Sequence, residues 1–205
     1  MEGMTRAAGT RRGTDTTQLE LVGGPEAITV SLEEYDPRWP AAFEVHRARI
    51  AEVLAALPAV RIEHIGSTAV PGLAAKPIVD IVVAVPDITD ESAYLAPLLE
   101  AGYVLRVREP GHRLVRTPSR AVHVHLYELG AAAIDEYLLL RDHLRSDEAD
   151  RSLYESTKRS LLERGWSDMN DYADAKTEVI AAIKTRARAA AERTCAATAR
   201  VDPAG

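Results

Sequence analysis

A single carboxylate, Asp80, stands in the apolar run KPIVDIVVAV, residues 76–85. An ionised group inside such a run is costly unless it is paired or bound to a metal. Two readings therefore stand for Asp80: a structural ion pair with an arginine, or a metal or substrate role. Upstream, Gly66-Ser67 closes the segment AVRIEHIG and opens TAVPGLAAKP. If a short helix starts near Thr68, free amides there could meet phosphate oxygens, with the Ser67 hydroxyl as a further donor. Taken alone, an ordinary turn is the simpler account of Gly-Ser. Lys76 follows within reach of the same place, or is a solvated loop lysine. A Walker loop is excluded, because no Gly-Lys-Ser/Thr is present.

The segment VHVHL supplies imidazoles. In a strand His123, His125 and Tyr127 face one way, and Val122, Val124 and Leu126 the other. Two histidines so spaced stand roughly 7 Å apart at Cα, close enough for one ion, though the pattern also fits a polar sheet face. Beside Asp80 they would form a mixed O/N set that suits zinc, manganese or iron better than magnesium. Cations also fall at helical spacing with tyrosines and apolar residues. Arg141 extends the stripe of Ile134 and Leu138, Lys158 follows Tyr154, and Lys176 follows Tyr172. Turned inward they would offset phosphate charge; otherwise they are snorkelling stems or, for Arg141-Asp142, a helix-packing pair.

These residues need a scaffold, and the chain supplies α/β patterning. Ile28 to Glu33 reads as a first strand. YDPRWPAAF opens a helix, with Pro37 and Pro40 where missing amides cost least. AVRIEHIG, KPIVDIVVAV and AVHVHLYEL read as strands, Asp90 to Ala101 as a helix, and GYVLRVRE with HRLVRTP as a hairpin about Pro110-Gly111. Helices then run over Ala131–Arg145, Glu148–Arg164 and Asp168 to about Arg193. Residues 1–27 lack periodicity and read as a disordered arm, 28–193 as the domain and 194–205 as a flexible tail. His46 and His64 lie on apolar faces, where a hydrogen-bonded core histidine is the simplest role.

Bulk properties narrow the class. The chain has 205 residues, a net charge of -6 and one cysteine, Cys195. That balance argues against a nucleic-acid partner, and one cysteine permits no internal disulfide. No apolar run reaches membrane-span length. A cytoplasmic protein is the expectation.

YDPRWPAAF, IEHIGSTAVPGLAAKPIVDIVVAV, HVHL, LRDHLR, YESTKRSLL and DYADAK together resemble the GrpB family over nearly everything between the two tails. The resemblance implies an α/β (α+β) fold like that of the DNA polymerase β-type nucleotidyltransferases: a mixed sheet with packed helices and a helical C-terminal part. It also implies kinship with a domain fused to dephospho-CoA kinase in some bacteria. The superfamily's chemistry uses Gly-Ser, then acid-x-acid on the next strand, then a third acid, because two divalent ions hold the triphosphate. Here Gly66 and Ser67 match the Gly-Ser and Asp80 the first acid. Val82 occupies the second acid's place, and His123 or His125 falls in the later strand. The resemblance thus implies a nucleotide or phosphate-bearing small ligand, a divalent metal on Asp80, His123 and His125, and nucleotidyl or phosphoryl transfer from a nucleoside triphosphate with Asp80 catalytic. Gly66, Ser67, Lys76, Arg141, Lys158, Tyr172 and Lys176 would bind the ligand. A binding protein without transfer and an interaction module remain as alternatives, because valine cannot hold a metal.

Overall fold

A computed structural model describes residues 14–24, 26, 31–58, 60–163 and 176–198. Six strands form one mixed sheet in the order β1-β4-β5-β6-β3-β2. They are β1 (Glu20–Leu21), β2 (Arg61–Ile65), β3 (Val79–Val85), β4 (Val104–Glu109), β5 (His112–Arg116) and β6 (Val122–Glu128). Only β3 and β6 pair in parallel; the other neighbours are antiparallel. The described helices are α1 (Trp39–Val53), α2 (Glu91–Glu100), α3 (Ala132–Ser146), α4 (Glu148–Glu163) and α5 (Thr177–Thr198). This is the mixed sheet with packed helices and a helical C-terminal part that the sequence predicts.

Strand alternation divides the two faces. Ile81, Val83, Val85, Val122, Val124, Leu126 and Val115 pack with Trp39 and Ile50 of α1, with Leu54 just after it, and with Tyr94, Leu95 and Leu98 of α2. Each such side chain contributes about 1.5–3 kcal/mol by leaving water. The opposite face carries Asp80, Val82 and Ala84 beside His123, His125 and Tyr127. There α3 covers it, with Ile134 and Leu138 packed on Ile65, Val82 and Ala84. Helix α4 turns Asp150, Tyr154, Lys158 and Leu161 inward at helical spacing. Val70 and Leu73 join Leu144, Tyr154 and Ile183 in a third apolar cluster, which ties the loop after β2 to the helical part.

Histidines with a core role find partners on the first face. His64 pairs across from Ile81, stacks on Phe43 at 4.8 Å and bonds Thr68 Oγ1 at 3.1 Å. Burial lowers its pKa to about 4. His46 Nδ1 meets the Tyr103 hydroxyl at 2.7 Å.

Two boundaries differ from the sequence reading. The predicted strand 28–33 is represented by one bridge, Glu33 with Ala75; residues 28–30 lie outside the described residues, as do 164–175 with Gly165, and 199–205. Part of the predicted arm, residues 14–24, lies against the sheet. Glu20 and Leu21 pair with Arg108 and Val107, and Arg106 donates to the carbonyls of Val22 (2.6 Å) and Gly24 (2.8 Å). The cause is charge. Arg113, buried to 2% exposure in the hairpin, needs acceptors. It donates to Glu91 (2.6 Å), to the carbonyls of Glu109 and His112, and to Asp15 (2.8 Å). Asp15→Ala is therefore expected to cost about 1.5–3 kcal/mol, the range for a hydrogen bond to a charged group. Amide exchange at Val22, whose N–H bonds Arg106, should accelerate well above that of β6. Unchanged protection at Val22 would show that Asp15 does not hold the segment.

Candidate functional site

Between β2 and β3 the turn at Gly66 packs against the Asp80 carboxylate. Gly66 has φ 72° and ψ -174°, a region essentially restricted to glycine. A Cβ there would lie 2.6 Å from Asp80 Oδ2. Glycine is required on both counts, and the Asp80 carboxylate rests against the bare turn. Ser67–Ala69 then forms one 3-10 turn, where the sequence suggested a short helix starting near Thr68. Thr68 is buried beneath it and donates to the Ile78 carbonyl at 3.0 Å.

Parallel pairing of β3 with β6 puts His123 directly beside Asp80 and His125 beside Val82. His123 Nδ1 lies 3.7 Å and His125 Nε2 3.8 Å from Asp80 Oδ1. One ligand atom from each of the three residues lies within 4.8 Å of the others, close enough to share one ion. Burial holds His123 at a pKa of about 4, so its imidazole is neutral, the form that binds metals. His123 Nε2 is buried with no hydrogen-bond partner among the described residues. Nδ1, not this nitrogen, is the one that lies nearest Asp80.

A two-ion arrangement does not fit. Val82 is 1% exposed in the apolar cluster under α3. It gains from burial, whereas an acid there would pay several kcal/mol unless metal-bound. One ion fits: a carboxylate and two imidazoles leave at least one position open.

Above Asp80 is a cleft of about 220 Å³ lined by Gly66, Ser67, Asp80, Arg141, Tyr154 and Lys176, with Tyr137, Leu140, Leu144 and Ile180. Burial lowers the pKa of Lys176 and of Lys76, and the Asp80 charge acts on both in the opposite direction. Two lysines thus share the field of one carboxylate. Lys76 is not among the residues that line the cleft.

Two other predicted ligand-binding cations are committed elsewhere. Arg141 donates to Glu63 (2.9 Å), to the His64 carbonyl (3.0 Å) and through two atoms to Asp142 (2.7 and 3.0 Å). It joins β2 to α3. Lys158, 3% exposed, donates to the Ala74 carbonyl and to Ser67 Oγ at 3.2 Å, with the Tyr154 ring 4.8 Å away. It braces the loop that carries Ser67. Tyr172 lies outside the described residues.

Two polar residues beside the site escape sequence inspection. His112 Nε2 meets His125 Nδ1 at 3.1 Å, and His112 Nδ1 meets Glu109 Oε1 at 2.5 Å. Only the hairpin register reveals them: His112 pairs with Tyr127 and Leu114 with His125, so His112 shares the histidine face. The turn Pro110-Gly111 was legible, but not which face its flanking residues would take.

A family model described as GrpB protein matches residues 29–186. The chain belongs to the GrpB family. Within and around that family, a UPF0157 protein of Streptomyces coelicolor is 64% identical over 187 residues, covering 91% of this chain and 99% of that protein. The crystal structure of GrpB from Enterococcus faecalis is similar with a TM-score of 0.67 and 30% identity, over 77% of this chain and 96% of that one. A dephospho-CoA kinase of Mycolicibacterium paratuberculosis is 31% identical over 178 residues, covering 72% of this chain and 43% of that protein. No described helix is long and apolar enough to cross a membrane.

Proposed function

We propose that the chain binds a nucleotide or related phosphate-bearing small molecule in the Asp80 cleft, with one divalent ion on Asp80, His123 and His125. The observation that carries this reading is the convergence of a carboxylate and two imidazoles on one another across β3 and β6. Such a donor set favours zinc, manganese or iron over magnesium. Lys176 at the cleft and Lys76, which also feels the Asp80 charge, would offset phosphate charge, and the Ser67 hydroxyl would face an anionic oxygen. Arg141 and Lys158 act as braces of the cleft wall. Likeness to part of a dephospho-CoA kinase supports a nucleotide-containing ligand.

Phosphoryl or nucleotidyl transfer would use the same site, with the ion polarising a phosphoryl oxygen. Lys176 would hold the ligand's charge, and α3 and α4 would limit water. Because Val82 removes the second acid, two-ion transfer is not part of the proposal, and binding without turnover is the second reading.

The test is a thermal-shift series on chelator-treated protein with Mg2+, Mn2+ or Zn2+, each with and without ATP, ADP or coenzyme A. A ligand at a hundredfold excess over its Kd adds about 2.7 kcal/mol of stability. Mn2+ or Zn2+ should stabilise the wild type, a phosphate ligand should add to it, and Asp80→Asn should abolish both shifts. Equal shifts in wild type and Asp80→Asn, or none in either, would remove the proposal. Release of phosphate or pyrophosphate from ATP would separate transfer from binding.

A further inference from the structure

Glu109, His112 and His125 form a line that ends at Asp80. Glu109 Oε1 lies 2.5 Å from His112 Nδ1, His112 Nε2 lies 3.1 Å from His125 Nδ1, and His125 Nε2 lies 3.8 Å from Asp80 Oδ1. The two imidazoles are nearly coplanar, 12° apart, with centroids separated by 5.3 Å. With a nitrogen–nitrogen distance of 3.1 Å, the rings meet edge to edge, as an in-plane N–H···N bond requires. Tyr127 stacks on the face of His112 at 4.5 Å and 16°, which fixes that ring against rotation.

Proton positions along the line follow from what each group can do. A carboxylate only accepts, so His112 Nδ1 carries the proton it donates to Glu109. A neutral His112 then has a lone pair on Nε2, which accepts from His125 Nδ1–H. A neutral His125 in turn has its lone pair on Nε2, aimed at Asp80. Two acceptors, His125 Nε2 and Asp80 Oδ1, thus face each other 3.8 Å apart. Their mutual repulsion is relieved by a cation between them. A simple hairpin ion pair between Glu109 and His112 would not need the two imidazoles to lie in one plane.

We propose that Glu109 and His112 are positioning residues for His125, holding it in the tautomer that offers Nε2 to a divalent ion. This rests on the ion-binding reading of Asp80, His123 and His125. Histidine ligands characteristically donate their second ring N–H to a neighbouring acceptor, and loss of that partner costs about 10- to 100-fold in metal affinity. Here the acceptor is itself an imidazole backed by a carboxylate, so the effect passes through two residues.

The experiment measures Mn2+ and Zn2+ affinity by calorimetry on the full chain after chelator treatment. His112→Phe keeps a ring to stack on Tyr127 but has no acceptor; it is expected to weaken affinity about 10- to 100-fold. His112→Gln, which can present a carbonyl oxygen to His125, should recover much of the loss. Asp80→Asn should abolish binding. If His112→Phe binds as tightly as wild type while Asp80→Asn does not bind, the positioning role is overturned and the ion site stands. If Asp80→Asn binds normally, the ion-site reading itself falls. A readout independent of variant folding comes from nitrogen-15 NMR of the metal-free wild type. His125 should be the Nδ1–H tautomer, and an Nε2–H tautomer would overturn the proposal.

Discussion

Gly66→Ala should lower stability by about 3 kcal/mol and abolish ion binding. Two costs combine. The backbone at φ 72°, ψ -174° penalises a side chain by about 1–3 kcal/mol. The new methyl would also lie 2.6 Å from Asp80 Oδ2 and 3.2 Å from Asp80 Cβ, so the aspartate must move. It cannot swing freely, since its backbone is paired on both sides, to Ile65 and to His123. Displacement carries the carboxylate away from the two imidazoles, which is why affinity and stability should fall together. Gly72→Ala is the matched control: φ is 77°, but nothing lies within 4 Å of the place its methyl would take. It should cost only the strain, about 1–2 kcal/mol, and leave ion affinity intact. Urea denaturation and calorimetry of the pair decide the matter. Equal losses in both variants, with ion binding retained, would mean that the carboxylate is not held against the turn.

Lys158 should make the protein grow more stable as pH rises from 7 to about 10. Burial pushes its pKa from 10.5 down to about 7, with the Lys176 charge acting in the same direction. Across that window the unfolded chain keeps the proton that the folded chain has released. Unfolding therefore takes up a proton, and stability climbs with pH. The climb from this one group is of the order of 4 kcal/mol, at about 1.4 kcal/mol per pH unit. Lys158→Met keeps a stem of similar length and has no proton to lose. The wild-type minus Lys158→Met difference should thus rise between pH 7 and 10 and flatten below 7. The variant would leave the Ala74 carbonyl without its lysine donor, at about 1–3 kcal/mol, so it should be the less stable protein only at the alkaline end. A difference that does not vary with pH would show that Lys158 stays charged in the fold.

The contrast between Asp80 and Lys158 shows what sequence could and could not reveal. Asp80 was legible because a lone acid in a β-branched run has few explanations, and its meeting with His123 and His125 needed only neighbouring strands. Val82 was legible as a departure, and its burial beneath Ile134 and Leu138 gives the physical reason for an apolar residue there. For Lys158 and Arg141 helical spacing left two readings open, turned inward or snorkelling, and the structure turns both inward. Their partners, a backbone carbonyl at Ala74 and carboxylates at Glu63 and Asp142, are set by how the helices dock, which helical periodicity does not encode. Glu109 and His112 depended on hairpin register, which a Pro-Gly turn does not specify. The 14–24 segment lacked any pattern of its own because its attachment comes from arginines in β4 and β5, not from apolar spacing.

The sheet order has a consequence for how the site comes into being. Strands β2 and β3 are neighbours in sequence and in space, as are β4, β5 and β6. These are two locally connected modules, and the parallel β3–β6 pairing is the seam between them. Asp80 comes from one module; His123, His125, His112 and Glu109 all come from the other. Joining them closes a long stretch of chain, an entropic cost that local pairings do not carry. The proposed ion site would therefore be a clasp across the seam. Neither module contains it, it exists only once the seam has closed, and an ion seated there would hold together a junction that short hairpin connections do not.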